Sequence, residues 1–286
     1  MNCILILCHR YQRCAPKLLI HALSAAWSKM GLMVSFVYGT DDRPGADLLI
    51  PQIDLTHTPK EYIDYCRAFP NVINRDVTDI SKRRISSNLL CGDEDYQGPV
   101  IVKTDNNASG FPEDSMSKIE NPLFWRVARK VLPLAEHLFG RQMAWRRTLN
   151  PYLTYNNLSE VPAGVFQNRG MVVERFLPER EGKRYFMRHY ICLGDRVRSV
   201  RVAGFTPFLK RSACEPVDEG LTPPDEVVAL RRRLGLDYGK IDYLMNEGRV
   251  VILDVNPTPG PPGTPAATAR TVNDLAGGIL SLLKIK

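Results

Sequence analysis

The sequence has no Cys-x-x-Cys pair, no Gly-x-Gly-x-x-Gly after its first apolar run, no internal repeat and no apolar stretch of about 18 residues. Each absence removes a class of protein. Seven scattered cysteines, an odd number, suit a reducing cytosol better than a disulfide scaffold. None has a His or Asp at a spacing that would make it a thiol nucleophile. Without the glycine fingerprint, a dinucleotide-binding domain has little support. The first apolar run is too short for a signal h-region or a membrane span, so the expectation is a cytoplasmic protein with no membrane partner. Strong charge of one sign is also missing. Lys plus Arg number 38 against 31 Asp plus Glu, a net charge of +7 that favours anionic ligands but is weak for a dedicated nucleic-acid binder. What remains is 286 residues, 44% hydrophobic and 24% charged, enough for two or three lobes around a core.

The chain begins by alternating strand and helix patterns. Residues 4–7 form a short apolar run that reads as a buried strand. Leu18, Leu19, Ala22, Leu23 and Ala26 set a helical stripe through residues 16–29, and residues 33–38 are β-branched and aromatic. Strands at 47–53 and 71–73 enclose a helix at 59–69. This order predicts a small parallel sheet flanked by helices. From about Thr78 the pattern changes to a polar helix (79–90), a strand (99–103) and a polar loop (104–115). An antiparallel-looking set of strands follows at 170–174, 185–193 and 197–202. A helix at 224–235, strands at 240–245 and 250–256, and a final helix at about 267–283 complete the expectation. The basic segment 124–147, with Trp125 and Trp145, reads as an amphipathic helix pair with a solvated basic face, in preference to a nucleic-acid or anionic-carrier surface.

Three places carry chemistry. Asp254 and Asn256 stand two apart on one strand and therefore share a face, with Asp242 on the strand before. Two carboxylates and an amide carbonyl make a hard-oxygen set suited to magnesium, although the same residues can simply cap strand ends. Lys103 ends the strand PVIVK, where it can reach phosphates as a point charge or be solvated. The adjacent loop TDNNASG offers backbone N–H groups. The strand MVVERFLPE delivers Glu174 and then Arg175, Phe176 and Leu177, an apolar backbone that can hold an adenine or be an ordinary core strand with a charged end. His9, at the end of the first strand, sits where open parallel sheets bind ligands, whereas His189 reads as a satisfied core residue. Residues 258–265, TPGPPGTP, read equally as a stiff turn or as the wall of a carboxylate pocket.

In this order, PVIVK, VVERF and an Asp followed by DVNPTPG resemble the ATP-grasp superfamily of carboxylate–amine ligases, such as D-alanine–D-alanine ligase, glutathione synthetase and the RimK-like ligases. The resemblance spans nearly the whole chain, and DVNPTPG is its most specific part. It implies an α/β fold with α+β lobes. A Rossmann-like pre-ATP-grasp domain would occupy residues 1–77, a first lobe with the basic segment 78–176, and a second lobe with the metal hairpin 177–286, the two lobes clamping ATP. It further implies that Lys103 binds the α- and β-phosphates, with Lys82 as a second nucleotide lysine. Glu174, Phe176 and Leu177 become the adenine hinge, Glu181 a ribose ligand, and Asp242, Asp254 and Asn256 the Mg2+ ligands. Arg188 and Arg201 are the arginines expected to stabilise phosphoryl oxygens, the alternative being a solvated row. The sequence departs from the family's pattern in carrying Asp254 where Glu is usual, and in having only Gly110 in the loop over the phosphates. The implied activity is ATP- and Mg-dependent ligation of a small-molecule carboxylate to an amine. A phosphotransferase on the same scaffold and a non-catalytic ATP-binding regulator are the rivals. Dimers are common in that family, which leaves a homodimer open.

Overall fold

The computed structural model describes residues 2–11, 18–127, 131, 152–209 and 214–283. Most of the basic segment, with Trp145, lies outside the described residues, as do residues 16 and 17 of the first predicted helix. The chain divides into two compact units, Met1–Asp79 with Pro178–Lys286, and Ile80–Leu177.

The first unit starts with a three-stranded parallel sheet: β1 (Cys3–Cys8), β2 (Met33–Tyr38) and β3 (Leu48–Gln52), in the order β2-β1-β3. β1 is buried nearly throughout, as an unbroken apolar run in the middle of a parallel sheet should be. The stretch predicted as a strand at 71–73 contributes a parallel bridge from Val72 to Leu49, beyond β3. The helix Leu19–Lys29 buries Leu19, Ile20, Leu23, Ser24 and Trp27, a stripe one position on from the predicted one. Trp27 explains the rotation. It is fully buried, and its indole N–H donates to the Ala276 carbonyl at 3.0 Å.

The second unit holds a four-stranded antiparallel sheet of β4 (Leu89–Leu90), β5 (Val100–Thr104), β6 (Leu153–Tyr155) and β7 (Met171–Arg175), ordered β4-β7-β5-β6. Its core face carries Leu90, Val100, Val102, Met171 and Val173. Two expectations fail here. The predicted polar helix 79–90 is only the turn Lys82–Ile85, because Ser86, Ser87 and Asn88 are poor helix formers and Leu89–Leu90 instead pair with β7. The predicted loop 104–115 closes into a helix, Phe111–Glu120, with Pro112 at its start and Glu113 and Asp114 in its first turn.

The remainder of the first unit is antiparallel: β8 (Glu179–Glu181), β9 (Arg184–Leu193), β10 (Arg196–Gly204), β11 (Glu215–Glu219), β12 (Tyr238–Asn246) and β13 (Arg249–Asn256). The order is β11-β10-β9-β12-β13, with β8 also on β9. The strand predicted at 170–174 thus belongs to a different sheet from 185–193 and 197–202. The last helix is broken as well. Pro265–Leu275 gives way to a 3-10 turn at Ala276–Gly278 before Ile279–Leu282, and Gly278 lets the backbone pass the Leu193 carbonyl oxygen, from which a Cβ would lie 1.9 Å.

The two stretches of the first unit share one core. Ile4, Ile6, Leu23, Trp27 and Ile50 cluster with Ile191, Leu193, Tyr238, Leu275 and Ile279. Asn74 is its polar rivet. Its side-chain oxygen accepts from the N–H groups of Asp237 (2.8 Å) and Tyr238 (3.1 Å), and its amide nitrogen donates to the Tyr238 carbonyl at 2.6 Å. No described helix is long and apolar enough to cross a membrane.

Candidate functional site

The β12–β13 hairpin closes through Glu247 and Gly248, both with positive φ, as a two-residue turn following the right-handed strand twist requires. That turn sets the register. Asp242 stands directly opposite Asp254, and Lys240 opposite Asn256. On the other side of β12, Asp242 is opposite His189 and Lys240 opposite Ile191. One sheet face therefore presents Asp242, Asp254 and Asn256 together, with Lys240 and His189 beside them. The Asp242 carboxylate has Lys240 Nζ at 2.7 Å and His189 Nδ1 at 2.6 Å. Burial pushes this carboxyl up, but the Lys240 ammonium and the His189 ring outweigh it and hold the group below the usual carboxylate range. Asn256 Oδ1 accepts from the Thr258 N–H at 2.8 Å, and the buried Thr258 hydroxyl donates to Asp54 Oδ1 at 2.7 Å. Among the described residues, no group of three His, Cys, Asp or Glu side chains is placed to hold a metal. The candidate set depends on the Asn256 carbonyl oxygen for its third donor.

Arg188 and Arg201 occupy the other face of this sheet. They stand opposite each other on β9 and β10, and Arg188 also faces Tyr243, one residue out of phase with Asp242. Two like charges side by side need a counterion, and Glu179 supplies it: Oε2 accepts from Arg188 and from the Met245 N–H, and Oε1 accepts from Arg201 at 3.0 Å. Arg201 also pairs with Glu181 and lies over the Phe186 ring, 3.7 Å from its centroid.

In the second unit, Lys103 and Glu174 lie on the face of the four-stranded sheet away from its core cluster. They form a buried ion pair at 2.5 Å, with side chains 10% and 2% exposed. Lys103 is also within 5.9 Å of the Tyr152 ring centroid. Removing one partner of such a pair leaves an uncompensated charge, at a cost of about 3–5 kcal/mol. Lys82 is buried, and its ammonium donates to the Asn106 carbonyl at 2.7 Å. It pins the start of a tight turn in which Ala108, Ser109 and Gly110 all have positive φ. Two consecutive non-glycine residues in that region store strain at the segment predicted to meet phosphates. The Phe176 N–H donates to Pro99 O at 2.8 Å, while Phe176 and Leu177 are half-buried.

The sequence reading missed Lys240, Thr258, Asp54 and Glu179. Lys240 was within reach, since it lies two residues before Asp242 and alternation puts both on one face. Asp54 was not, because it meets Thr258 across 204 residues of sequence.

No family model matches the chain, and no curated protein is similar to it in sequence. Solved structures are similar in fold. The ATP-grasp ligase PsnB complexed with a phosphomimetic variant of a minimal precursor, Mg and ADP shares 11% identity over 96% of each chain, with a TM-score of 0.51. The same ligase complexed with a minimal precursor shares 10% identity over 97% of each chain, also at 0.51. The RimK domain ATP-grasp protein from Sphaerobacter thermophilus DSM 20745 shares 11% identity over 97% of this chain and 99% of its own, at 0.49. On its likeness to PsnB over nearly its full length, the chain has the ATP-grasp fold.

Proposed function

We propose that the chain is an ATP- and magnesium-dependent ligase that activates a small-molecule carboxylate as an acyl phosphate and joins it to an amine. The observation that carries this reading is the register of β12 and β13, which gathers Asp242, Asp254 and Asn256 on one face. Their donors are hard oxygens, the set that magnesium prefers. A magnesium ion held there would supply positive charge to phosphate oxygens. The fold likeness to PsnB, solved with Mg and ADP, supports the same assignment.

In this reading residues 1–77 are the pre-ATP-grasp domain, 78–176 the first lobe and 177–286 the second. Lys103 meets the nucleotide phosphates, and Glu174 holds its ammonium in place until they arrive. Glu174, Phe176 and Leu177 line the adenine, with the Phe176 N–H already spent on Pro99. Lys82 acts through the turn it pins. Glu181 serves the ribose only by leaving Arg201. Arg188 and Arg201 lie on the sheet face away from Asp242, Asp254 and Asn256 and are bound to Glu179, so a phosphoryl group at that magnesium is left to other cations. The reaction balances simply. A carboxylate oxygen attacks the γ-phosphorus and ADP leaves. The amine nitrogen then attacks the acyl carbon, losing a proton, and phosphate leaves.

Calorimetry of ATP with and without magnesium, on the wild type and Asp254→Asn, tests the site. The expected outcome is magnesium-dependent binding that the variant loses, with turnover down on the order of 10²-fold or more. Unchanged binding and turnover in Asp254→Asn would remove the metal assignment. Product analysis separates the rival chemistry, since a ligase releases ADP and free phosphate whereas a phosphotransferase leaves the phosphate on its acceptor.

A further inference from the structure

Thr258 has one hydroxyl hydrogen and two acceptors within reach of it, Asp54 Oδ1 at 2.7 Å and Asn256 Oδ1 at 3.0 Å. The second acceptor is an oxygen of the magnesium candidate set, so the side to which that hydrogen turns matters. A carbonyl oxygen has two lone pairs. One pair of Asn256 Oδ1 takes the Thr258 N–H at 2.8 Å. This contact also fixes the amide, because the reverse orientation would set the Asn256 NH₂ against another donor. The second pair is left for a metal only while the Thr258 hydroxyl hydrogen points elsewhere. Asp54 is the stronger acceptor: its contact is the shorter one, and hydrogen bonds to a carboxylate are roughly twice as strong as those between neutral groups.

Both ends of the contact are held by the chain around them. Asp54 is the middle residue of a three-residue turn, in which the Leu55 N–H donates to the Ile53 carbonyl at 2.9 Å. Ile53 and Leu55 are buried on either side of it. Thr258 is buried between Pro257 and Pro259, and a residue that precedes proline is confined to extended backbone. The Pro259 carbonyl is fastened in turn, accepting from the Leu19 N–H at 2.9 Å.

We infer that Asp54 is a positioning residue of the magnesium site: it holds the Thr258 hydroxyl hydrogen and so keeps a lone pair of Asn256 Oδ1 open to the metal. That a metal comes to Asn256 rests on the ligase reading; that Asp54 wins the hydrogen does not. This role has a consequence that a merely structural one lacks. With Asp54 removed, the hydroxyl turns to Asn256 and competes with the metal. With the hydroxyl removed as well, the competitor is gone and the metal returns.

Calorimetry of ATP across a series of magnesium concentrations tests this on the full chain, for wild type, Asp54→Ala and Asp54→Ala/Thr258→Val, each first checked for folding by urea denaturation. Asp54→Ala should need about tenfold more magnesium to reach the same ATP affinity, the scale on which partners behind a metal ligand act. The double variant should recover most of that loss, and ATP affinity without magnesium should be the same in all three. Should Asp54→Ala not fold, Asp54→Asn takes its place. Its neutral acceptor competes less well for the hydrogen, giving a smaller weakening that Thr258→Val again reverses. Asp54→Ala with the magnesium requirement of wild type would overturn the positioning role. So would a double variant as weak as Asp54→Ala, which would make Asp54 a structural group only. A wild type whose ATP binding ignores magnesium would overturn the ligase reading itself, and with it the metal that Asp54 serves.

Discussion

The two faces of the six-stranded sheet share strands β9 and β12, yet they handle charge in opposite ways. On one face Arg188 and Arg201 stand opposite each other, and Glu179 bridges both while accepting a backbone N–H. Every formal charge there has a counter-charge within the protein. On the other face Asp242 and Asp254 stand opposite each other, and the cations beside them, Lys240 and His189, both address Asp242. A self-saturated cluster braces a sheet. A cluster that places two acids and an amide carbonyl together is the one arranged for an incoming cation.

The largest effect should come from breaking the saturated face. Glu179→Ala leaves two arginines, with side chains 18% and 14% exposed, without their shared counterion. The expected loss is about 3–5 kcal/mol in urea denaturation. A loss under about 1 kcal/mol would show that the arginines are free to serve a substrate. An intermediate effect is expected at Asp242. Asp242→Asn removes charge-assisted contacts to Lys240 and His189, a loss of about 1.5–3 kcal/mol near neutral pH. Because the folded carboxyl is held below its unfolded value of about 3.9, its stabilisation is present above that pH and fades as pH falls toward the folded value. Wild type should thus lose stability below about pH 4 more steeply than Asp242→Asn, and parallel acid limbs would contradict the pairing. The smallest effect should be at Asp254. Asp254→Asn keeps the side chain's shape and removes one of two acids standing opposite each other, so without magnesium its stability should stay within about 1 kcal/mol of wild type. A variant that keeps its stability while losing magnesium-dependent ATP binding would separate this face from the braced one. A strongly destabilised variant would place Asp254 among the structural charges.

Much of this arrangement was legible beforehand. The hairpin could be read because an apolar run at 250–253 leads into the alternation of Asp254, Val255 and Asn256, and Asn-Glu-Gly marks a tight turn before it. The shared face of Asp254 and Asn256 follows from strand geometry alone. Less visible were the partners. Lys103 and Glu174 were each read as facing a nucleotide, but their 71-residue separation hid that they face each other. The helix Phe111–Glu120 was obscured by polar composition, although Pro112 and the acids after it are start signals.

By itself, then, the sequence determined the local patterns: the apolar strand β1, the hairpin and its turn, and the faces on which alternating residues fall. These depend on near-neighbour sterics and on the burial of apolar side chains. Tertiary structure alone decided which of those faces meet. Strand order set Asp242 against His189 and Arg188 against Arg201, and Asn74 fastened the chain to Asp237 and Tyr238 across 163 and 164 residues. Strand alternation constrains each side chain to one of two sides, but pairing energy between distant segments, which no local pattern encodes, chooses its neighbour.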